Sequence, residues 1–160
     1  MAVEVGSKVP DVAVKVMRDG KPEEVNTGDV LGKGKVVLFA VPGAFTPGCS
    51  KIHLPGYVEH GAELKAKGVD TIACVSINDA WVMEAWGQAH GVGEDILMLA
   101  DGNGAFTDAM GLSADMSGAG LGTRSKRYAA VIEDGTITEL EVEDKPGVDV
   151  SSCESILAKV

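Results

Sequence analysis

An α/β fold with a central mixed β-sheet flanked by helices is predicted by three features of the sequence. Two apolar runs of strand length are separated by a stretch of helical spacing, a pair of strand-like segments surrounds an Asp-Gly turn, and a short helical segment ends the chain. With 160 residues, a single domain spanning 1–160 is large enough to bury a core without staples.

The elements follow in order. Val12 to Val16 predicts a modest strand, followed by the polar turn Arg18-Asp19-Gly20. Val36-Val37-Leu38-Phe39-Ala40-Val41 is continuously apolar, as in a central strand covered on both faces. Helical spacing runs from after Thr46 to about Ala66, with Gly68 as a stop and Pro55 predicting a kink or break near Leu54. Thr71 to Ile77 is a second buried strand. Asp79 then starts a helix with Val82, Ala85, Trp86 and Ala89 on one face, ending at Gly91. Ile96 to Ala100 reads as a third short strand, Gly104 to Met110 as a short helix, and Gly118-Ala119-Gly120 as a flexible loop. Tyr128 to Ile132 and Ile137 to Val142 flank Glu133-Asp134-Gly135-Thr136, a hairpin signal, and Ser151 to Lys159 closes the chain as a helix. A βαβ unit followed by a ββα unit is the thioredoxin-like arrangement.

Composition excludes several functions. Apolar residues make up 45% and charged residues 24%, as in ordinary globular proteins. A formal net charge of -10 argues against nucleic acid, whose phosphates such a surface would repel; Arg124-Ser125-Lys126-Arg127 is the one basic cluster. No apolar run approaches the ~18–20 residues needed to span a bilayer, and Met1 to Gly6 lacks the regions of a signal peptide. Three cysteines make no disulfide framework and suit a reducing compartment, so a cytoplasmic protein is expected, or the processed form of an organellar one.

Cys49 carries the strongest chemical signal. It lies just past a buried strand, with Thr46 as an expected N-cap and Pro47 at the first helical position, where a missing N–H costs nothing. The third helical position sets its sulfur near unpaired backbone N–H groups and the positive end of the helix dipole, which favours the nucleophilic thiolate. Peroxide reduction by such a sulfur also needs donors for the charge that grows on the departing oxygen. The Thr46 hydroxyl, on the same helical face, and the Cys49 N–H are two candidates. Pro42 would shield the sulfur from water, and Arg124 or Arg127 would supply a permanent cation.

Pro42-x-x-x-Thr46-x-x-Cys49, within Val41-Pro-Gly-Ala-Phe-Thr-Pro-Gly-Cys-Ser-Lys51, resembles the peroxiredoxin active-site motif, in the form of the peroxiredoxin-5 or plant type II subfamily. His53-Leu-Pro-Gly-Tyr57, Cys74-Val-Ser-Ile-Asn-Asp79, Leu99-Ala-Asp101 and Ser125-Lys-Arg-Tyr128 extend the resemblance over nearly the whole chain. The resemblance implies reduction of hydrogen peroxide and alkyl hydroperoxides through a cysteine sulfenic acid, with no metal or haem cofactor. It implies catalytic roles for Pro42, Thr46, Cys49 and Arg127, with Arg124 the weaker alternative. An external thiol reductant (thioredoxin, glutaredoxin or glutathione) and a homodimer formed through the active-site side are likewise implied.

Two further cysteines are candidates for resolving Cys49. Cys74, in an apolar strand, reads first as a buried inert thiol, although its spacing from Cys49 resembles the second cysteine of plant type II members. Ser151-Ser152-Cys153-Glu154 reads as a capping box, which puts Cys153 in an exposed helix start with a lowered pKa, near the resolving cysteine of some peroxiredoxin-5 members. His53 reads as a packing or hydrogen-bonding residue, because a lone Cys-x-x-x-His lacks the remaining ligands of zinc. His60 and His90 carry no signal, and Trp81 and Trp86 read as core.

Two competing functions remain at this point. A general thiol–disulfide oxidoreductase is disfavoured by the lack of any Cys-x-x-Cys pair. A redox-responsive sensor or holdase, in which Cys49 oxidation is read by a partner, shares the same residues.

Overall fold

The computed structural model describes all 160 residues. The N-terminal third makes a hairpin of β1 (Ala13–Arg18) and β2 (Lys21–Asn26), a single turn α1 (Thr27–Val30) and the central strand β3 (Lys35–Ala40). α2 (Leu54–Ala66) leads to β4 (Thr71–Ser76), and α3 (Ala80–Ala89) to β5 (Leu97–Ala100). After α4 (Ala105–Met110), the short strands β6 (Ser113–Asp115) and β7 (Thr123–Ser125) pair with each other. β8 (Tyr128–Glu133), β9 (Thr136–Val142) and α5 (Cys153–Leu157) complete the chain.

Seven strands form one sheet in the order β2-β1-β5-β4-β3-β8-β9. β3, β4 and β5 run parallel, joined through α2 and α3, whereas β1, β2, β8 and β9 pair antiparallel, so the sheet is mixed as expected. Alternation along β3 sorts the core into two faces. Val37, Phe39 and Val41 pack with Leu54, Tyr57, Leu64, Cys74 and Trp86; Val36, Leu38 and Ala40 pack with Leu31, Leu99, Phe106 and Met110. The β8–β9 hairpin turns at Asp134 and Gly135, with φ of 47° and 85°, the left-handed pair that an Asp-Gly turn supplies.

Several local expectations are corrected. Lys21–Asn26 is a strand although nothing in its polar composition announces one; as an edge strand it tolerates five exposed residues, Pro22 among them. The irregularity that Pro55 predicts near Leu54 is present, but the helix is not broken there. The chain instead winds a wider π turn over Cys49–His53, with the Leu54 N–H donating to the Cys49 carbonyl, before continuing as α2. Pro55 has no N–H for the Lys51 carbonyl and its ring would crowd it, a conflict that the extra residue in the turn removes. α3 is rotated from its expected face: Ala80, Met83, Trp86 and Gly87 are buried, whereas Ala85 and Ala89 are exposed. Gly87 turns inward because only a bare Cα fits there; a Cβ would come within 2.9 Å of Val92 Cγ2. Trp81 is 63% exposed and is not core.

Candidate active site

The site forms where the carboxyl end of β3 runs into the helix carrying Cys49. Between them, Val41 to Thr46 makes a tight loop in which Phe45 adopts a φ of 66°, costly for a residue with a Cβ. The loop is held from β4's side: the Ala44 N–H donates to Asn78 Oδ1 at 3.0 Å, and the Ser76 hydroxyl fixes the same oxygen at 2.6 Å. Asn78 escaped notice as a site-building residue, although it lies within the Cys74–Asp79 stretch already singled out.

Pro47 and Gly48 begin the helix, so Cys49 occupies its first turn as expected. Thr46 occupies the N-cap position as expected, but its side chain makes no capping bond. Its hydroxyl donates to the Gly43 carbonyl at 2.7 Å, while its own carbonyl accepts from the Ser50 N–H at 2.9 Å. The Thr46 oxygen therefore keeps its lone pairs rather than a free proton. The Cys49 N–H has no acceptor in the chain.

Cys49 is fully buried, and its charge partner comes from the strand-entry segment 78 residues away in sequence: Arg127 Nη2 donates to Cys49 Sγ at 3.2 Å. Gly48 admits this guanidinium, since a Cβ there would sit 3.1 Å from Nη2. Arg127 Nη1 donates to His53 Nδ1 at 3.0 Å. His53 Nε2 in turn donates to the Ser151 carbonyl at 3.0 Å, which fixes the neutral tautomer. Burial, aided by the adjacent Arg127 charge, lowers the His53 pKa to about 3.

Arg124 stands at the rim, donating from Nε to the Leu121 carbonyl at 3.0 Å and from Nη1 to the Pro42 carbonyl at 3.3 Å. Gly43 gives it room, because a Cβ would meet Nη1 at 2.9 Å. The structure thus brings Pro42, Thr46, Cys49 and both arginines together, and Arg127 is the one on the sulfur.

The two remaining cysteines lie in the core. Cys74 is fully buried on β4, and burial raises its pKa, helped by the nearby Cys49. Cys153 corrects an expectation. The N-cap of α5 is Ser152, whose oxygen accepts from the Ser155 N–H, not Ser151. Ser151 instead gives both its N–H and its hydroxyl to Glu143 Oε2. This one-residue shift turns Cys153 inward to 1% exposure, and burial, with Glu63 and Glu154 nearby, pushes its thiol up to about 12. No cluster of three or more His, Cys, Asp or Glu side chains is arranged to hold a metal ion, and no helix is long and apolar enough to cross a membrane.

Comparisons with known proteins place the chain in a family. The family model described as Redoxin matches residues 4–157. Peroxiredoxin-2E-2, chloroplastic, of Oryza sativa subsp. japonica is 47% identical, over 97% of this chain and 71% of its own length. Peroxiredoxin-2B of Arabidopsis thaliana is 42% identical, over 97% of this chain and 96% of its own. The crystal structure of reduced Prx3 from Vibrio vulnificus in complex with H2O2 superposes with a TM-score of 0.92 at 47% identity, covering 99% of each chain. With a sequence match across nearly its full length and a thioredoxin-like fold of the same shape, the chain belongs to the Redoxin family and is a peroxiredoxin, a thiol-dependent peroxidase.

Proposed function

We propose that Cys49 is the peroxidatic residue of a single domain spanning 1–160 and that Arg127, Thr46, Pro42 and the Cys49 N–H complete its catalytic set. The Cys49 thiolate attacks the terminal oxygen of ROOH along the O–O axis. An S–O bond forms as the O–O bond breaks, sulfur is oxidised by two electrons, and the released alkoxide takes up a proton to leave as ROH. Arg127 and the unpaired Cys49 N–H face the charge that shifts across the oxygens. Thr46, its own proton committed to Gly43, accepts the hydroperoxide O–H and turns the substrate in line. Pro42 walls the sulfur from water and lends its carbonyl to Arg124. The observation that carries the reading is the 3.2 Å contact from the Arg127 guanidinium to Cys49 Sγ.

The sulfenic acid then condenses with a thiol, losing water, and a second thiol opens the mixed disulfide. An outside thiol is the better first partner, because Cys74 and Cys153 are buried and their pKa values are raised. Thioredoxin, glutaredoxin and glutathione each supply one. The chemistry uses no metal or haem and requires a reducing compartment, the cytoplasm or an organelle such as the chloroplast named for one relative. Exposed Phe45 and Ile52, flanking Cys49 in sequence, and Trp81 support a homodimer formed through the active-site side.

Stopped-flow peroxide consumption tests the assignment. Cys49→Ser should abolish the fast phase, and a retained fast phase would sink the reading. The same lack of a ready internal thiol favours a second reading, a peroxide sensor whose oxidised Cys49 is held for a partner. Partner capture by the oxidised form with negligible turnover distinguishes it.

A further inference from the structure

We propose that His53 is a positioning residue that aims Arg127 at Cys49, and that its anchor, the Ser151 carbonyl, makes the segment before α5 part of the active-site frame. This inference rests on the role given above to Arg127.

A guanidinium offers five N–H donors in a rigid plane, so fixing one edge fixes where the other points. Here Nη1 is fixed by His53 Nδ1 and Nη2 points at the sulfur, with no carboxylate paired to Arg127. A carboxylate in the same place would neutralise the cation that the thiolate needs. A neutral imidazole holds the arginine without spending its charge. The ring can do so only while Nδ1 is a bare acceptor, which requires the proton on Nε2 and an acceptor for it.

The fold supplies that acceptor and locks it. The Ser151 carbonyl receives both His53 Nε2–H and the Tyr57 hydroxyl, at 3.0 and 2.9 Å. Glu143 Oε2 gathers the Asp149 N–H, the Ser151 N–H and the Ser151 hydroxyl, at 2.7, 2.9 and 2.7 Å. The imidazole itself is wedged against Phe39 and Tyr57, with ring centroids 5.0 and 5.7 Å away. The titratable and charged groups facing His53 are thus Arg127, Tyr57 and, more distantly, Glu143. With its pKa held near 3 by burial and Arg127, the ring stays neutral over the working range. His53 takes no proton from the substrate.

A double-mutant cycle in the first-turnover peroxide reaction tests this, alongside thermal unfolding of each variant. His53→Leu keeps the apolar packing but removes the acceptor, and should slow the peroxide step about tenfold. His53→Asn restores an oxygen near the Nδ1 position and should recover the rate to within about threefold of wild type. In an Arg127→Leu background, His53→Leu should add nothing, since there is no guanidinium left to aim. The wild-type rate should show no histidine inflection between pH 5 and 8.

An equal slowing by His53→Leu with and without Arg127 would overturn the positioning role, as would full activity of the single variant or a histidine inflection lost on its substitution. A slow Arg127→Leu beside a normal His53→Leu would overturn this inference alone. A normal Arg127→Leu would overturn the Arg127 reading beneath it and this inference with it.

Discussion

Cys49 and Cys153 stand in the same local setting. Each lies in the first turn of a helix, and each is buried, at 0% and 1% exposure. Around Cys49 the fold gathers the Arg127 guanidinium and an unpaired backbone N–H. Both thiols belong to the same apolar cluster, but beside Cys153 the fold adds the carboxylates Glu63 and Glu154, and burial with these neighbours raises the thiol to about 12. A helix start favours a thiolate by a modest margin, and burial with negative neighbours outweighs it. On the proposed reading, the charge that a distant segment delivers selects the thiol that reacts.

The contrast is sharpened most by thiol accessibility. At pH 8, Cys153 should react with iodoacetamide about a thousandfold more slowly than an unfolded cysteine, because the thiolate fraction falls tenfold for each unit of pKa. Residue-resolved labelling by mass spectrometry checks this, and labelling of Cys153 as fast as in denaturant would erase the distinction.

Removing the delivered charge should collapse it from the other side. Arg127→Leu should slow the first-turnover peroxide reaction about a hundredfold, the range found when one donor to a developing oxyanion is deleted. Stopped-flow kinetics read the change directly.

A smaller effect concerns stability. His53 has a folded pKa of about 3 against an ordinary value of 6.5, so the unfolded chain binds its proton first as pH falls. The stability that neutral His53 contributes is complete above pH 6.5 and should decline by up to about 1.4 kcal/mol per pH unit on the way down toward pH 3. Urea unfolding at a series of pH values measures the slope, and His53→Leu should flatten it.

The sequence was informative where chemistry is local. Continuous apolar runs marked β3 and β4 because strands covered on both faces can hold little else, and Asp134-Gly135 marked its hairpin because few residue pairs accept two positive φ values. Pro42, Thr46 and Cys49 could be picked out as candidates from spacing and resemblance, since one loop and one helical turn carry all three. β2 could not, because an edge strand exposed along its length needs no apolar pattern. The π turn was hidden as well: Pro55 announces a conflict with the helix but not its resolution. Arg127 could be proposed by resemblance, yet its choice over Arg124 depends on tertiary geometry, as does the His53 link to Ser151. Cys153 misled because Ser151-x-x-Glu154 carries the capping-box pattern while the adjacent Ser152 makes the cap, and one residue separates an exposed thiol from a buried one.

The most direct measurement is to expose the reduced protein to one equivalent of hydrogen peroxide in the presence of dimedone and map the adduct by peptide mass spectrometry. A sulfenic-acid adduct confined to Cys49, and greatly reduced in Arg127→Leu at the same early time, is the expected result. An adduct that forms first on Cys153, or one on Cys49 that accumulates equally fast without Arg127, would contradict the assignment of reactivity to the charge that the fold delivers.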